Sequence, residues 1–178
     1  MTKLLPVVLA LALAACSDPT PTVPADGATV VPTTAAEPAA APVEAVAMTV
    51  YKTPTCGCCS LWGERMAEDG FAVETVEVAD LTAVRDSLGV PSDLSGCHTA
   101  TVATADGARR YTVEGHVPAD AIRRLLAERP DARGLTVPGM PLGSPGMEQG
   151  DLRQPYDVLL LTDAGEAVVW ESIPGSQG

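Results

Sequence analysis

Aromatic side chains and positive charges are both scarce in this sequence of 178 residues. Only 3% of the residues are aromatic, so a folded core has to come mainly from Val, Leu and Ala. The 23 acidic residues outnumber the 11 basic ones and give a formal charge of −12. Because nucleic-acid binding depends on Lys and Arg that displace counterions from phosphates, this balance argues against it. The acidity also disfavours electrostatic docking on anionic lipid and is typical of a soluble domain.

The apolar run at the N-terminus, residues 4–15, is too short to span a membrane but has the length of a signal peptide. Residues 13–16 (Leu-Ala-Ala-Cys) resemble a bacterial lipobox, in which Cys16 becomes the lipid-bearing first residue of the mature chain. Ser17, rather than Asp, follows this cysteine. This resembles the pattern of Gram-negative lipoproteins that are released to the outer membrane rather than kept at the inner one. We therefore expect a signal peptide over residues 1–15 and a periplasmic, cell-envelope protein that meets the membrane only through its N-terminal lipid.

Basic residues are absent from the next segment, residues 16–47, which consists mainly of Pro, Ala, Thr and Val. It shows neither helical nor strand periodicity. Such a composition cannot bury enough apolar surface to offset the entropy of ordering, so it predicts a disordered tether. Folded patterns begin at Met48, and we expect one domain over residues 48–173.

The pattern of this domain predicts an α/β fold. The expected elements are a strand at 48–52, a helix at 58–69, a strand at 71–78, a helix at 80–88, strands at 99–104 and 110–114, a helix at 118–128, and a hairpin of 156–162 with 166–171. Leu61, Trp62 and Met66 are expected to face inward from the first helix. The order βαβαββα with a cysteine motif before the first helix resembles a thioredoxin-like fold of glutaredoxin size, extended by a loop over 134–150 and the hairpin. In that fold the loop before the third strand lies against the cysteine motif.

Four cysteines follow Cys16, and three of them are adjacent to the first predicted helix. Cys56 and Cys59 have the CxxC spacing of a redox-active pair, because helix N–H groups and the helix dipole stabilise a thiolate there. They are the candidate catalytic residues. Cys58 adds a sulfur that a dithiol exchanger does not need, and Cys97 supplies a fourth. Sulfur-only donors select soft ions, which indicates Cu(I), including a multinuclear cluster with bridging thiolates.

Other uses of these residues remain open. Two structural disulfides are one alternative, but any bridge among Cys56, Cys58 and Cys59 closes a very small loop and contributes little stability. A single structural bridge between Cys97 and the motif stays possible. Zinc ranks second as the metal, on a Cys₃His set of Cys56, Cys59, Cys97 and His98, but a second CxxC or HxxxH pair is missing. Four cysteines would also suffice for an iron–sulfur cluster. His98 is as easily a ligand as a loop residue, and His116 is more typical of a residue that precedes a helix.

Four motifs in order resemble the CopG-type periplasmic copper-resistance proteins, a family unrelated to the ribbon-helix-helix repressor of that name. They are Tyr-Lys-Thr-Pro-Thr-Cys-Gly-Cys-Cys (51–59), Gly-Cys-His-Thr (96–99), Val-Glu-Gly-His-Val-Pro-Ala (113–119) and Val-Pro-Gly-Met-Pro-Leu-Gly-Ser-Pro-Gly-Met (137–147). The resemblance implies a thioredoxin-like fold and copper on the CxCC cysteines 56, 58 and 59. It also implies redox activity between Cu(I) and Cu(II) or between thiols and copper.

The resemblance further implies that Cys97 is an additional copper ligand and that Met140 or Met147 is a thioether donor. The expected partners of this protein are copper ions and other periplasmic copper-handling proteins. Two rival functions stay open: a metal-free thiol–disulfide oxidoreductase that uses Cys56 and Cys59, and a passive copper carrier.

Overall fold

The computed structural model describes residues 45–176 as a mixed α/β fold with one seven-stranded sheet. The strands are β1 (Val46–Lys52), β2 (Phe71–Glu77), β3 (Thr99–Ala103), β4 (Arg110–Glu114), β5 (Gly134–Thr136), β6 (Tyr156–Leu161) and β7 (Ala167–Ile173). The helices are α1 (Gly57–Glu68), α2 (Thr82–Leu88) and α3 (Ala119–Glu128), with a 3₁₀ turn at Ser92–Leu94. Within this part of the chain, none of the helices has the length and apolar character needed to cross a membrane. The predicted signal peptide, most of the predicted tether and the predicted lipidation site Cys16 lie outside the described residues.

The sheet has the strand order β2-β1-β3-β4-β5-β6-β7. The predicted order of elements is confirmed, although β1 begins at Val46 rather than Met48. β1 and β2 are parallel and are joined by α1. β1 is antiparallel to β3, with Tyr51 opposite Thr99. The end of β1 therefore lies beside the start of β3, and this register brings the Cys56 and Cys97 segments to the same edge of the sheet.

β5 was not predicted, because residues 134–150 were interpreted as a single Gly- and Pro-rich loop. The three residues of β5 pair parallel to β4 and antiparallel to β6. The predicted C-terminal hairpin, β6 with β7, is confirmed, and β5 makes it continuous with the rest of the sheet. Gly134 can lie here because it has no side chain: a Cβ would be 1.8 Å from the carbonyl oxygen of Thr112.

Helix α1 packs on the sheet through Cys59, Trp62, Gly63 and Met66, which follow the i, i+3, i+4, i+7 spacing of one helix face. The expectation that Leu61 faces inward is wrong, since its side chain is 51% exposed. Gly63 lies on the inner face instead, where a Cβ would be 3.8 Å from Val73. The inward face of α1 is therefore the one that includes Cys59.

The core is mainly aliphatic, as the scarcity of aromatic residues predicted, and it also contains Trp62, Phe71 and Tyr111. Val50, Ala100 and Val113 on neighbouring strands are at most 1% exposed. From α3, Ile122 and Leu125 join them. Helix α2 contains no buried residue and lies at the surface.

Candidate metal centre

Helix α1 begins at the cysteine motif. Cys56 is its N-cap residue, and its backbone N–H donates to the carbonyl of Thr53, 3.1 Å away, so the chain turns sharply out of β1. Cys59 is fully buried, whereas Cys56 and Cys58 are half-buried. The N-terminal end of α1, where the helix dipole is positive, therefore lies beside these three cysteines.

The structure joins Cys56 and Cys59 in a disulfide whose Cα atoms are 5.4 Å apart. Cys58 and Cys97 are free thiols. The Sγ of Cys58 lies 3.6 Å from that of Cys56. The pair with CxxC spacing is thus geometrically able to form and break a disulfide, while a third thiol stays beside it.

Cys97 approaches the motif from the loop before β3, as the sequence predicted. Its Sγ lies 3.4 Å from Cys59 Sγ and 3.7 Å from Cys58 Sγ. The four sulfurs of Cys56, Cys58, Cys59 and Cys97 all lie within 4.8 Å of one another. This spacing suits a soft metal ion or several ions bridged by thiolates. We call these four residues the sulfur cluster.

Three backbone segments meet directly behind Cys97. A Cβ on Gly96 would be 2.5 Å from the Cα of Gly115, and a Cβ on Gly115 would be 2.4 Å from the carbonyl oxygen of Val137. Gly115 has φ +72°, and its N–H donates to the carbonyl of His98 at 2.9 Å. Only glycine fits at both positions, and this close approach sets the distance between the loops before β3 and after β4.

A buried carboxylate, Glu114, fastens the same loops. Its Oε1 accepts hydrogen bonds from Arg85 Nε and from the Gly96 N–H, both at 2.9 Å, and its Oε2 accepts from the Thr99 hydroxyl at 2.6 Å. Burial raises the pKa of Glu114, although these three partners oppose the shift. Arg85 Nη2 also donates to the carbonyl of Gly96 at 2.7 Å, so one arginine holds the residue that precedes Cys97.

His98, a predicted ligand, is fully buried against Trp62, with 4.3 Å between the ring centroids. Its Nδ1 is 3.5 Å from Cys97 Sγ. The other nitrogen, Nε2, has no hydrogen-bond partner within residues 45–176. Burial, with His116 and Arg85 as smaller contributions, lowers the pKa of His98 to about 3, so the imidazole is neutral and retains a lone pair for a metal.

His116 is the site residue that sequence reasoning undervalued. Its Nε2 is 2.8 Å from Cys97 Sγ, and its Nδ1 donates to the carbonyl of Pro145 at 2.7 Å. Burial lowers the pKa of His116. His116 is 19 residues from Cys97, so no local spacing links the two. The one sequence signal for His116 was its place in the motif at 113–119.

Burial also governs the charge of Cys97. Burial is the largest of the causes that raise the pKa of the Cys97 thiol to about 12, and the neighbouring Cys58 raises it further. Without a cation, Cys97 is therefore a neutral thiol that donates to His116 Nε2. A bound metal ion would supply the positive charge that a buried thiolate needs.

The two methionines of the loop over 134–150 differ in environment. Met140 is 55% exposed and Met147 is half-buried. Gly146, next to Met147, packs against the first turn of α1. The loop thus covers the start of the helix, and the thioether roles of Met140 and Met147 stay predictions.

Known proteins share this chain's sequence and fold. A family described as "Protein of unknown function, DUF411" matches residues 94–147, and none of the curated proteins matches the chain. The solved structure "Copper resistance protein copG- Form 1" is 45% identical, with a TM-score of 0.67, and the match covers 74% of this chain and 100% of that one. "Copper resistance protein copG- Form 2" is 44% identical at the same TM-score and coverage. The chain therefore belongs to the CopG copper-resistance protein family.

Proposed function

We propose that this protein binds copper in the cell envelope, holds Cu(I) on Cys56, Cys58 and Cys59 together with Cys97, and interconverts Cu(I) and Cu(II) in copper resistance. The observation that supports it best is the placement of four sulfurs within 4.8 Å of one another at a helix N-terminus. Thiolates prefer Cu(I) to hard ions, and sulfurs this close can bridge several copper ions. The relatives named as copper-resistance proteins support copper as the ion.

Copper is the substrate of the redox step, and Cys56 with Cys59 supplies the electrons. Two Cu(II) ions each accept one electron, the two thiols lose two electrons and two protons, and one S–S bond forms. The product would be a Cys56–Cys59 disulfide, and these two residues are close enough to form one in the structure. Exchange with an external dithiol would restore both thiols. Cys58 and Cys97 stay reduced throughout, and the four-sulfur Cu(I) site forms again once Cys56 and Cys59 are reduced.

The proposed fold is thioredoxin-like and of glutaredoxin size. It is supported by the parallel pair of β1 and β2 across α1, by the CxxC pair at the start of this helix, and by the antiparallel partner β3. The loop with Met140 and Met147 and the final hairpin are additions to that fold. The CxxC pair would then use the helix start for thiolate chemistry.

We further propose that Cys16 is lipidated and that the protein is periplasmic, at the outer rather than the inner membrane. This proposal depends on the lipobox resemblance alone. Incorporation of labelled palmitate into wild-type protein and its absence from Cys16→Ser would test it. Fractionation with the inner membrane would contradict the second part.

A Cu(I) titration of the fully reduced full-length protein against a strong chelator tests copper binding. The triple variant of Cys56, Cys58 and Cys59 to Ser should lose high-affinity binding. Cys16→Ser is the matched control, because it removes a thiol outside the CxCC motif and should bind as wild type does. If the triple variant bound Cu(I) as tightly as wild type, the proposed site would be wrong.

The disulfide itself favours a second candidate, a metal-free thiol–disulfide oxidoreductase that uses Cys56 and Cys59. Insulin reduction at equal rates with and without copper would support this candidate. A passive carrier is distinguished by turnover: with excess Cu(II) and a dithiol, an enzyme produces Cu(I) in more than stoichiometric amounts.

A further inference from the structure

Lys52 is a buried cation at the end of β1, where the chain turns towards the cysteine motif. Only 4% of its surface is exposed. We propose that Lys52 is a positioning residue for the Cys56–Cys59 pair: it holds the turn that carries Cys56, and its positive charge favours the reduced pair over the disulfide. This inference rests on the proposed function in one respect, namely that Cys56 and Cys59 are the redox pair.

Ion pairing alone does not explain why Lys52 is buried. Its Nζ lies 3.3 Å from Oε1 of Glu77, the residue opposite it on β2. The Glu77 side chain is 57% exposed, and an ion pair with such a solvated partner contributes little stability. A buried ammonium loses hydration, so lysine is almost never fully buried unless a partner compensates for that loss. The burial of Lys52 therefore indicates a further role.

The second contact of the ammonium shows what this role can be. Lys52 Nζ donates a hydrogen bond to the carbonyl oxygen of Thr53 at 3.1 Å. The Cys56 N–H donates to the same oxygen, also at 3.1 Å. Pro54, inside this turn, has no N–H to contribute. Lys52 therefore fixes the acceptor on which the turn closes, and with it the N-cap residue of α1.

The backbone of Lys52 is itself fixed by the sheet. Its carbonyl accepts a hydrogen bond from the Val78 N–H at 2.9 Å, and Lys52 pairs with Glu77 in the parallel register of β1 and β2. Functional groups are held more precisely by strands than by loops. Through Lys52, the position of Cys56 is therefore referred to two paired strands.

The charge of Lys52 adds a second effect. A disulfide is neutral, whereas a reduced cysteine pair can hold a thiolate, which a nearby cation and the N-terminus of a helix stabilise. Stabilising the reduced form raises the reduction potential of the pair. An external dithiol then reduces the pair more readily: it gives up two electrons and two protons, its own S–S bond forms, and the Cys56–Cys59 bond breaks. Lys52 thus helps to return both cysteines to thiols.

The reduction potential of the Cys56–Cys59 pair can be measured without copper. We would equilibrate metal-free full-length protein with mixtures of reduced and oxidised dithiothreitol under anaerobic conditions. Alkylation then traps the thiols, and mass spectrometry of peptides counts them. Lys52→Met should shift the equilibrium about tenfold towards the disulfide, which for a two-electron couple is a reduction potential about 30 mV lower.

Arg65→Met is the matched control, because it removes an exposed cation of α1 and leaves the turn intact. Its reduction potential should equal that of wild type. Lys52→Arg restores the charge at position 52 and should recover most of the wild-type potential. A role in packing alone would move the free energy of unfolding of Lys52→Met without moving this potential.

Amide hydrogen exchange tests the positioning separately. The Cys56 N–H should exchange faster in Lys52→Met than in wild type, because its acceptor is held less firmly. Lys52→Gln keeps a donor for the Thr53 oxygen but has no charge, so it should lower the potential as well and serves if Lys52→Met does not fold.

An unchanged potential in the folded uncharged variants, or an equal shift in Arg65→Met, would overturn the charge effect. Unchanged exchange of the Cys56 N–H in Lys52→Met would overturn the positioning. Both measurements are independent of the Cu(I) titration. If that titration fails while the potential shifts as expected, copper is the wrong ion and Lys52 still positions the pair.

Discussion

Gly146 contacts the carbonyl of Cys58 so closely that a Cβ at Gly146 would lie 2.8 Å from that oxygen and 2.7 Å from the backbone nitrogen of Trp62. Through this contact the loop after β5 rests on the first turn of α1, beside the sulfur cluster. The neighbouring Pro145 accepts the hydrogen bond from His116. Two adjacent loop residues therefore contact two different parts of the metal centre.

Gly146→Ala should destabilise the protein and weaken copper binding. Gly146 has φ +80°, so alanine meets both backbone strain and the contact with α1, whose backbone cannot move aside. Gly139→Ala is the matched control: its φ is +72°, but a Cβ there meets nothing within 4 Å. We expect a loss of about 1–2 kcal/mol for Gly139→Ala in urea unfolding and a larger loss for Gly146→Ala. Equal losses, with copper affinity unchanged in both variants, would contradict the role of this contact.

Arg85→Met should unfold the protein more readily, because it leaves the Glu114 carboxylate buried without its cation. Breaking a buried ion pair in this way costs about 3 kcal/mol, the lower end of the usual range, since the Arg85 side chain is 20% exposed. Urea denaturation at neutral pH measures the loss. Arg65→Met, which removes the exposed ion pairs of Arg65 with Glu68 and Glu148, is the control and should have little effect. Similar losses in both variants would mean that Glu114 does not depend on Arg85.

Reduced protein should convert Cu(II) to Cu(I) with formation of the Cys56–Cys59 disulfide. A Cu(I)-specific chelator measures the product, and mass spectrometry of peptides locates the bond. Cys58→Ser should still form this disulfide, while Cys59→Ser should not. Recovery of a Cys58–Cys97 bond as the main product in wild type would show that another pair supplies the electrons.

Asp106 should make stability depend on pH in acid. Hydrogen bonds from Thr104 and Ala108, followed by Arg129, lower the pKa of this carboxyl below its usual range. A group with a lowered folded-state pKa stabilises the fold above its unfolded pKa of ~3.9, and this stabilisation is lost as the pH falls through the folded pKa. The stability difference between wild type and Asp106→Ala should therefore be constant from about pH 5 to 7 and shrink below about pH 4. Thermal unfolding across this range measures it, and a difference that stays constant into strong acid would contradict the prediction.

Most of the fold could be predicted because its signals are local. Proline after β1, glycine after α1 and the Asp-Gly turn before β4 mark element ends within a few residues. β5 could not be predicted in this way, since three residues in a Gly- and Pro-rich run have no periodicity of their own. β5 is a strand only because it pairs with β4 on one side and with β6 on the other. The orientation of Leu61 was missed for a related reason: the buried face of α1 is the one that includes Cys59, Trp62 and Met66, and this is fixed by packing on the sheet.

The candidate site, too, could be predicted only where its signals are local. Cys56, Cys58 and Cys59 are adjacent in sequence, so their meeting at a helix start was predictable. Cys97 was placed by the resemblance to a known fold. His116 was not, because its contact with Cys97 depends on the close approach of Gly96 and Gly115, which no local pattern reveals.

The direction of β1 separates the N-terminal end of the described chain from the sulfur cluster. The described chain enters the sheet at Val46 and leaves β1 at Lys52, four residues before the first cysteine of the sulfur cluster. At ~3.3 Å per residue, these two ends of the strand are roughly 20 Å apart. If the protein is attached through its N-terminal segment, the attachment and the sulfur cluster would lie at opposite ends of β1, so a partner could reach the cluster without competing with the attachment.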